Sequence, residues 1–439
     1  MEGHTHPRVT AAALNQNVNS GKYMKVLICN AGSSSLKFSL FEAMAETLLA
    51  DGTLDWATTP ARLTFRIQDG PKQQKEVTLR GHAEAMTRLL QELRSGAAAE
   101  LGGTGGIEAV GHRIVHGGPN YTQAVLITPE VQRALSDLAE LAPLHNKAGS
   151  EVIQVVTENL PGVPQVAAFD TAFHATLPEP ARTYPIPQKW TREWGLRRYG
   201  FHGLSHAYCT RRATELLGRA NLRLIIAHLG NGASVSAVAN GICQDTSMGF
   251  TPMEGLMMGT RSGSVDPGLL IYLLREKGLN VEQLDHALNY ESGLLGVSAL
   301  SADMRQLLGA QGQNPDARLA IEIYVHRLQQ TIGALAATLG GVDALVFTAG
   351  VGENSAEIRA RVCANLDYLG LKLDRGANTK GKTDQDIAAL DSPGRILVIA
   401  TREDLTILRE MKILLQELPL AEQFAARVGP ENTGKRHKS

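Results

Sequence analysis

The sequence predicts an α/β protein of more than one domain, and three observations carry that expectation. Short apolar runs of the kind that become buried strands alternate with longer stretches whose apolar residues recur near every 3.6 positions. The chain has 439 residues, which at about 150 residues per domain leaves room for two or three. A strand, small-residue turn, strand pattern occurs once near residue 30 and again near residue 230, which suggests two halves of related construction facing one another.

Taken in order, residues 1–23 are polar and carry an acid at position 2, so they read as a disordered extension rather than a signal peptide. The first strand is expected at Lys25–Asn30, turning through Ala-Gly-Ser-Ser into a second apolar segment, LKFSLFE. Ala109–Val115 reads as the next buried strand. Val131–Leu141 is a helix because Thr128-Pro129-Glu130 supplies an N-cap with proline in the first turn. Asn146–Asn159 follows as a helix, and Val163–Phe169 as a strand ending at Asp170. His206–Leu217 reads as a helix, and Leu222–His228 as a strand that turns through Gly-Asn-Gly-Ala-Ser into SVSAVAN. Pro267–Lys277 and Ala317–Leu339 have helical spacing. The most apolar stretch, Thr331–Gly352, is broken by Gly340-Gly341 and Asp343. It is therefore read as a helix end and a strand at Ala344–Thr348, not a membrane span. Ser355–Asn365 is expected to be a helix, Arg395–Ala400 a strand and Leu405–Leu418 a helix, with 421–439 a flexible tail.

Composition narrows the function. With 43 Lys and Arg against 44 Asp and Glu, the net charge of −1 argues against a nucleic-acid or anionic-membrane binder. Cys29, Cys209, Cys243 and Cys363 form no CxxC pair, so neither a disulfide framework nor a zinc site is expected, and a reducing, cytoplasmic setting is. No tandem repeat is visible. Glycine is over-represented at 44 residues, against the usual level of about 7%, and a good part of it lies in backbone turns, three of which are of a size to hold phosphate.

Small residues at a turn let backbone N–H groups approach an anion. Asn30-Ala31-Gly32-Ser33-Ser34-Ser35, followed by Lys37, reads either as a phosphate cradle or as an ordinary Gly/Ser hairpin. His228-Leu229-Gly230-Asn231-Gly232-Ala233-Ser234 is open to the same two readings, since Asn-Gly is also a hairpin signal. Thr348-Ala349-Gly350-Val351-Gly352-Glu353-Asn354 precedes a helix, whose positive end favours anions. It is neither GxxxxGK[ST] nor a full GxGxxG. Three such turns in one chain point to phosphate more strongly than any one alone.

The strings VLICNAGSSSLKF, VGHRIVHGG, APLHN, FDTAFH, YGFHGLSH, HLGNGAS, DTSMGFTPMEGLMMGTRSG, FTAGVGENS and TREDL together resemble the acetokinase family, within the sugar-kinase, actin and heat-shock ATPase superfamily. The resemblance spans roughly residues 24 to 418. It implies two actin-like (ribonuclease H-like) domains flanking an active-site cleft, one formed by 24–173 plus 405–420 and the other, nucleotide-binding, by 174–404. It also implies a homodimer and reversible, direct in-line transfer of the ATP γ-phosphoryl group to acetate, giving acetyl phosphate and ADP. Mg²⁺ would be the cofactor, with Mn²⁺ a possible substitute, and propionate or butyrate the alternative acceptor. An ATP-binding chaperone-like module or an actin-type filament protein would share the fold without needing the acetate-site strings.

A carboxylate acceptor is already ionised near pH 7. The chemistry therefore needs positive charge and alignment more than a base. By resemblance, Arg113 and Arg261 hold the carboxylate and the transferred phosphoryl group, and His202 donates to phosphoryl oxygens. Asp170 orients Arg113 or Mg²⁺. Val115, Leu144, His145, Phe201 and Pro252 enclose the acetate, Val115 limiting depth. Lys37, His228, Asn231, Gly232, Asp303, Met304, Arg305, Gly350, Val351, Gly352 and Asn354 fall to the nucleotide. Asn30 and Glu403 fall to Mg²⁺, with Asp404 an adjacent alternative. His116 and His174 read as structural, and His228 has a structural reading beside its nucleotide one. His202 and His206 are four residues apart but lack the Glu of HExxH, which argues against zinc. One departure stands out: Ser264 where the family often has Asp, with the expectation that Arg261 is held differently.

Overall fold

In the computed structural model, residues 24–57, 59–94, 103, 106–138 and 143–417 are described, the side chains of 143–145 excepted. The chain forms two compact units, one running through Phe169 and resuming at Asp404, the other spanning Asp170–Glu403.

The first unit is built on eight strands: β1 (Lys25–Ala31), β2 (Ser35–Glu42), β3 (Thr47–Asp55), β4 (Ala61–Ile67), β5 (Gln73–Val77), β6 (Ile107–Ile114), β7 (Val125–Leu126) and β8 (Gln165–Phe169). Their order is β5-β4-β3-β2-β1-β6-β8-β7. β1 to β5 form an antiparallel meander, whereas β6 and β8 run parallel to β1. Alternation sends Leu27, Cys29 and Ala31 into one core with Leu36, Phe38 and Leu40. The helices His82–Arg94 and Pro143–Asn159 cover it through Met86, Leu89, Leu90, Val152 and Val156. On the other face Gly111 admits the final helix, Glu403–Glu417: a Cβ there would lie 2.4 Å from Met411 Sδ and 2.8 Å from Ile407 Cγ2. Arg409 pairs with Glu46 at 2.7 Å, tying the same helix to the start of β3.

The second unit has β9 (Arg223–Leu229), β10 (Ala233–Ala239), β11 (Ile242–Thr246), β12 (Ala344–Thr348), β13 (Gln385–Asp386) and β14 (Arg395–Val398), in the order β11-β10-β9-β12-β14-β13. The two sheets share a plan. β3-β2-β1-β6-β8 matches β11-β10-β9-β12-β14, an antiparallel trio followed by two parallel strands, and each sheet ends on a short antiparallel edge strand. This is the two-domain actin-like architecture that the resemblance implies. The helix Pro315–Leu339 starts at an Asn314 N-cap with proline in its first turn and stops at Gly340, whose φ of 64° suits glycine. The apolar stretch around it therefore divides into a helix end and a buried strand, as expected.

Three expectations need correcting. The β3–β5 extension was not anticipated, because β3 and β4 are mixed in polarity and only partly buried and β5 is the exposed, polar QQKEV. The helix predicted from Val131 begins at Pro129 and ends at Asp137. The glycine segment after β12 is not an open turn: Ala349–Asn354 is itself helical, and Ser355 caps a second helix, Ala356–Cys363.

Candidate active site

In the first unit the parallel register sets Cys29 beside His112, so Asn30 and Arg113 leave adjacent strands together. Arg113 Nη1 donates to Asn30 Oδ1 at 3.1 Å. Lys37 is the cross-strand partner of Asn30, with its side chain exposed. The turn between β1 and β2 is braced from within: Gly32 N–H donates to the Ser35 carbonyl at 2.8 Å, and His82 Nε2 donates to the Gly32 carbonyl at 2.6 Å. Trp56 N–H takes the Ser34 carbonyl at 3.0 Å. Val115 follows β6 and is half-buried. Leu144 and His145 lie in the first turn of Pro143–Asn159, and their side chains fall outside the described residues. Asn146 joins these two segments: it accepts from His116 N–H at 3.1 Å and donates to the His116 carbonyl at 3.0 Å. That clamp was missed in the sequence, although Asn146 is the last residue of APLHN.

In the second unit Asp170 follows β8 directly and is buried. Its carbonyl accepts the Gly203 N–H at 3.0 Å, and a Cβ on Gly203 would sit 2.0 Å from that oxygen, so the position demands glycine. His202, just before, is held at φ 57°, a left-handed conformation that non-glycine residues seldom adopt. Its ring stacks on His228 at 4.1 Å between centroids, and Nδ1 lies 3.0 Å from Ser234 Oγ. His228 in turn bonds Ser205 Oγ through Nδ1 at 2.8 Å. Phe201 is buried, and its carbonyl accepts from His174 Nε2 at 2.9 Å.

His202, Gly232 and Arg261 converge. A Cβ on Gly232 would lie 3.4 Å from His202 Nε2 and 3.5 Å from Arg261 Nη1. Arg261 Nη1 donates to the Pro252 carbonyl at 3.0 Å, and among the described residues no carboxylate ion-pairs with it. Burial pushes this guanidinium's pKa down from its usual value, with Tyr290 acting in the opposite direction. A desolvated cation lacking a counter-ion is a receptor for an anion. Ser264 plays no part in holding it: the hydroxyl accepts Gly255 N–H at 3.0 Å, and Asp266 caps the helix Pro267–Glu276.

The remaining predicted residues are distributed as follows. Asn231 is exposed on the β9–β10 turn, and its carbonyl takes Gly259 N–H at 2.9 Å. Gly350, Val351 and Gly352 lie within the short helix, while Asn354 ends it and donates to the Gly350 carbonyl at 2.8 Å. The N-terminus of that helix is not open to an anion at Ala349: the N–H there bonds Glu353 Oε1 and Thr401 Oγ1, each at 2.9 Å. Fully buried Arg359, another residue missed in the sequence, closes the opposite end by donating to the Gly352 and Glu353 carbonyls at 2.8 Å and to Asn378 Oδ1 at 2.8 Å. Asp303 caps the helix Met304–Ala310 through Arg305 N–H and pairs with the exposed Arg305 side chain. Met304 is buried in that first turn. Glu403 begins the final helix and is half-buried. Both oxygens of Asp404 are engaged, by Ser39 Oγ at 3.0 Å and Leu405 N–H at 2.9 Å. Among the described residues no three His, Cys, Asp or Glu side chains gather as a metal cluster, and no helix is long and apolar enough to cross a membrane.

A sequence profile of the Acetokinase family matches residues 25–409. The chain belongs to the acetokinase family. It is 49% identical over 404 residues to the acetate kinase of Cyanothece sp., covering 90% of this chain and 99% of that one. Among solved structures, the acetate kinase of Porphyromonas gingivalis shares 40% identity with a TM-score of 0.81, covering 89% of this chain and all of the other. A propionate kinase from Francisella tularensis shares 38% identity at the same TM-score, covering 88% and 98%. The family thus includes structures named for two different carboxylate acceptors.

Proposed function

We propose that this protein is an acetate kinase, transferring the γ-phosphoryl group of ATP to acetate and, in reverse, that of acetyl phosphate to ADP. The observation that carries the reading is the convergence of His202 Nε2 and the uncompensated Arg261 guanidinium on the side-chain-free face of Gly232. A cation and a ring nitrogen that can carry a proton, aimed at one small volume, suit the equatorial oxygens of a phosphoryl group in flight. An acetate oxygen attacks the γ-phosphorus in line, the bond to the ADP oxygen breaks, and the electron pair leaves with ADP. The acceptor is ionised at neutral pH, so the protein moves no proton. Arg113, oriented by Asn30, offsets the repulsion between acceptor and nucleotide, and Asp170 orients the groups about it. By the family resemblance, Val115, Leu144, His145, Phe201 and Pro252 are assigned to the acetate. The nucleotide falls to Lys37, Asn231, Gly232, Asp303, Met304, Arg305, Gly350, Val351, Gly352 and Asn354. His228, stacked and hydrogen-bonded in the interior, supports His202.

The donor set fits Mg²⁺, or Mn²⁺ in its place. Glu403 and Asn30 Oδ1 are hard oxygen donors, too few to form a cage and compatible with an ion that keeps its water. When bound, the ion would neutralise phosphate charge. A cytoplasmic homodimer completes the reading: the helix Pro267–Glu276 buries none of its residues although Leu269, Ile271 and Tyr272 are exposed on it, which suits a second copy of the chain.

The test is a coupled assay with acetate, propionate, butyrate and glycerol at fixed Mg-ATP. Acetate should give the highest kcat/KM, with propionate slower by about 10- to 100-fold, the worth of one methylene in a fitted pocket. Propionate equal to or faster than acetate would replace this reading with a propionate kinase.

A further inference from the structure

The interior of the second unit holds a hydrogen-bonded pair of histidines that the transfer chemistry does not itself require. Ser234 Oγ lies 3.0 Å from His202 Nδ1 and 2.8 Å from His206 Nε2. A hydroxyl has one proton and two lone pairs. Buried Ser234 Oγ has no third partner among the described residues, so accepting from both rings would leave its own proton unmet. It donates to one ring and accepts from the other. We infer that His206, acting through Ser234, fixes His202 in the tautomer whose Nε2 carries the proton. This deepens the kinase reading above and rests on it for its purpose, though not for its geometry.

The direction of the chain follows from counting partners. His206 is fully buried, and its Nδ1 has no hydrogen-bond partner among the described residues. A proton placed on Nδ1 would be an orphaned buried N–H, whereas a proton on Nε2 has Ser234 to meet. Burial also keeps this ring neutral, with His174 and His228 nearby acting in the same direction. His206 therefore donates from Nε2 to Ser234 Oγ. The serine proton is left for His202 Nδ1, which must accept it, and the His202 proton resides on Nε2. The imidazolium form of His202 is disfavoured by the same count: with two N–H groups on His202, either the serine proton is left without an acceptor or the serine turns around and forces the proton of His206 onto its unpartnered Nδ1. His174 does not compete, because its Nε2 donates to the Phe201 carbonyl at 2.9 Å and its Nδ1 accepts from Cys243 Sγ at 3.2 Å.

The consequence lies at the other end of His202. Nε2 is the atom that faces Gly232 beside Arg261. In the tautomer set by the relay it presents an N–H to phosphoryl oxygens, and in the other it would present a lone pair and repel them. Ser234 and His206 are thus positioning residues that touch no substrate.

The experiment is long-range ¹H–¹⁵N correlation of histidine-labelled full-length protein near pH 7.5, with His202 assigned through a His202→Gln variant. Wild type should show His202 neutral and protonated on Nε2. Ser234→Ala should leave both tautomers populated and lower kcat by roughly ten- to a hundredfold, in line with the loss of an orienting partner, with both KM values within about twofold. His206→Gln, which keeps a donor, should retain more activity than His206→Met, which has none. His202 found protonated on Nδ1, or as imidazolium, would overturn the inference in wild type without recourse to any variant. So would an unchanged kcat in folded Ser234→Ala. Failure to phosphorylate acetate combined with an Nε2–H signal would sink the kinase reading and leave the relay standing.

Discussion

Replacing Gly232 with alanine adds one methyl group at the point where the proposed site is narrowest. Its backbone φ is not in the left-handed region, so alanine meets no conformational penalty there. The new methyl would lie 3.4 Å from His202 Nε2 and 3.5 Å from Arg261 Nη1, ordinary contact distances that require nothing to shift. Stability should accordingly be unchanged or improved by about 0.4–1 kcal/mol, because alanine restricts the unfolded chain. Catalysis should respond differently. A phosphoryl oxygen needs to approach such donors to about 2.7–3.1 Å, and the methyl occupies the space facing both of them. Losing one donor of this type costs about 10²–10³ in rate, so kcat/KM for acetate should fall by at least about a hundredfold. Denaturant melts and steady-state kinetics on the same preparation separate the two effects. A folded variant with wild-type kcat would remove His202 and Arg261 from the transferring group.

Arg113→Ala and Arg261→Ala should depress kcat much more than they raise the KM for ATP, since each acts on charge developed in the transition state; wild-type turnover in either variant removes that residue from the site. Asn354→Ala should raise the KM for ATP by about tenfold, the worth of one hydrogen bond of about 1.4 kcal/mol, and an unchanged KM counts against the nucleotide assignment at the end of the short helix. Arg359→Met should destabilise the fold by about 3–5 kcal/mol, because the Gly352 and Glu353 carbonyls and Asn378 lose buried partners; a midpoint shift under 1 kcal/mol in urea would show that the clamp is unimportant. Acid should also weaken the fold before carboxylates titrate. Burial pushes His112 and His174 down to about 4, so between pH 6.5 and 4 the unfolded chain takes up protons that the folded one refuses. Stability is full above pH 6.5 and falls as pH drops, by about 2 kcal/mol per histidine at pH 5. Urea midpoints equal at pH 7.5 and 5 would contradict this.

How much of this was legible in the sequence depends on the kind of residue involved. The strands at the centre of each sheet, β1, β6 and β8 with β9, β12 and β14, were visible because parallel strands covered on both faces are nearly continuous apolar runs. β5 was invisible because QQKEV is an exposed edge whose only structural cue is the strand beside it. The helix at Ala349–Asn354 ran against local propensity, since AGVGEN contains two glycines. What supports the helix is partly tertiary: its first N–H is taken by Glu353 within the segment and by Thr401 from outside it, and Arg359, itself held by Asn378, takes the last carbonyls.

The candidate site divides along the same line. Arg113, His202, Gly232 and Arg261 lie in compact strings whose resemblance to a family singled them out, and the fold places the last three around one small volume. The side chains that orient them had no such mark. Ser234 stands 32 positions from His202 and 28 from His206, and a serine in SVSAVAN reads locally as an ordinary strand residue. Yet the proton carried by His202 Nε2 depends on that hydroxyl. A group that contacts substrate can be found from the chemistry it must perform. A group that decides the protonation state of another is found only where the fold brings the two within hydrogen-bonding distance. For this chain that makes the Ser234 and His206 variants more searching tests of the proposed chemistry than removal of His202 itself, which would stop the reaction whichever nitrogen held the proton.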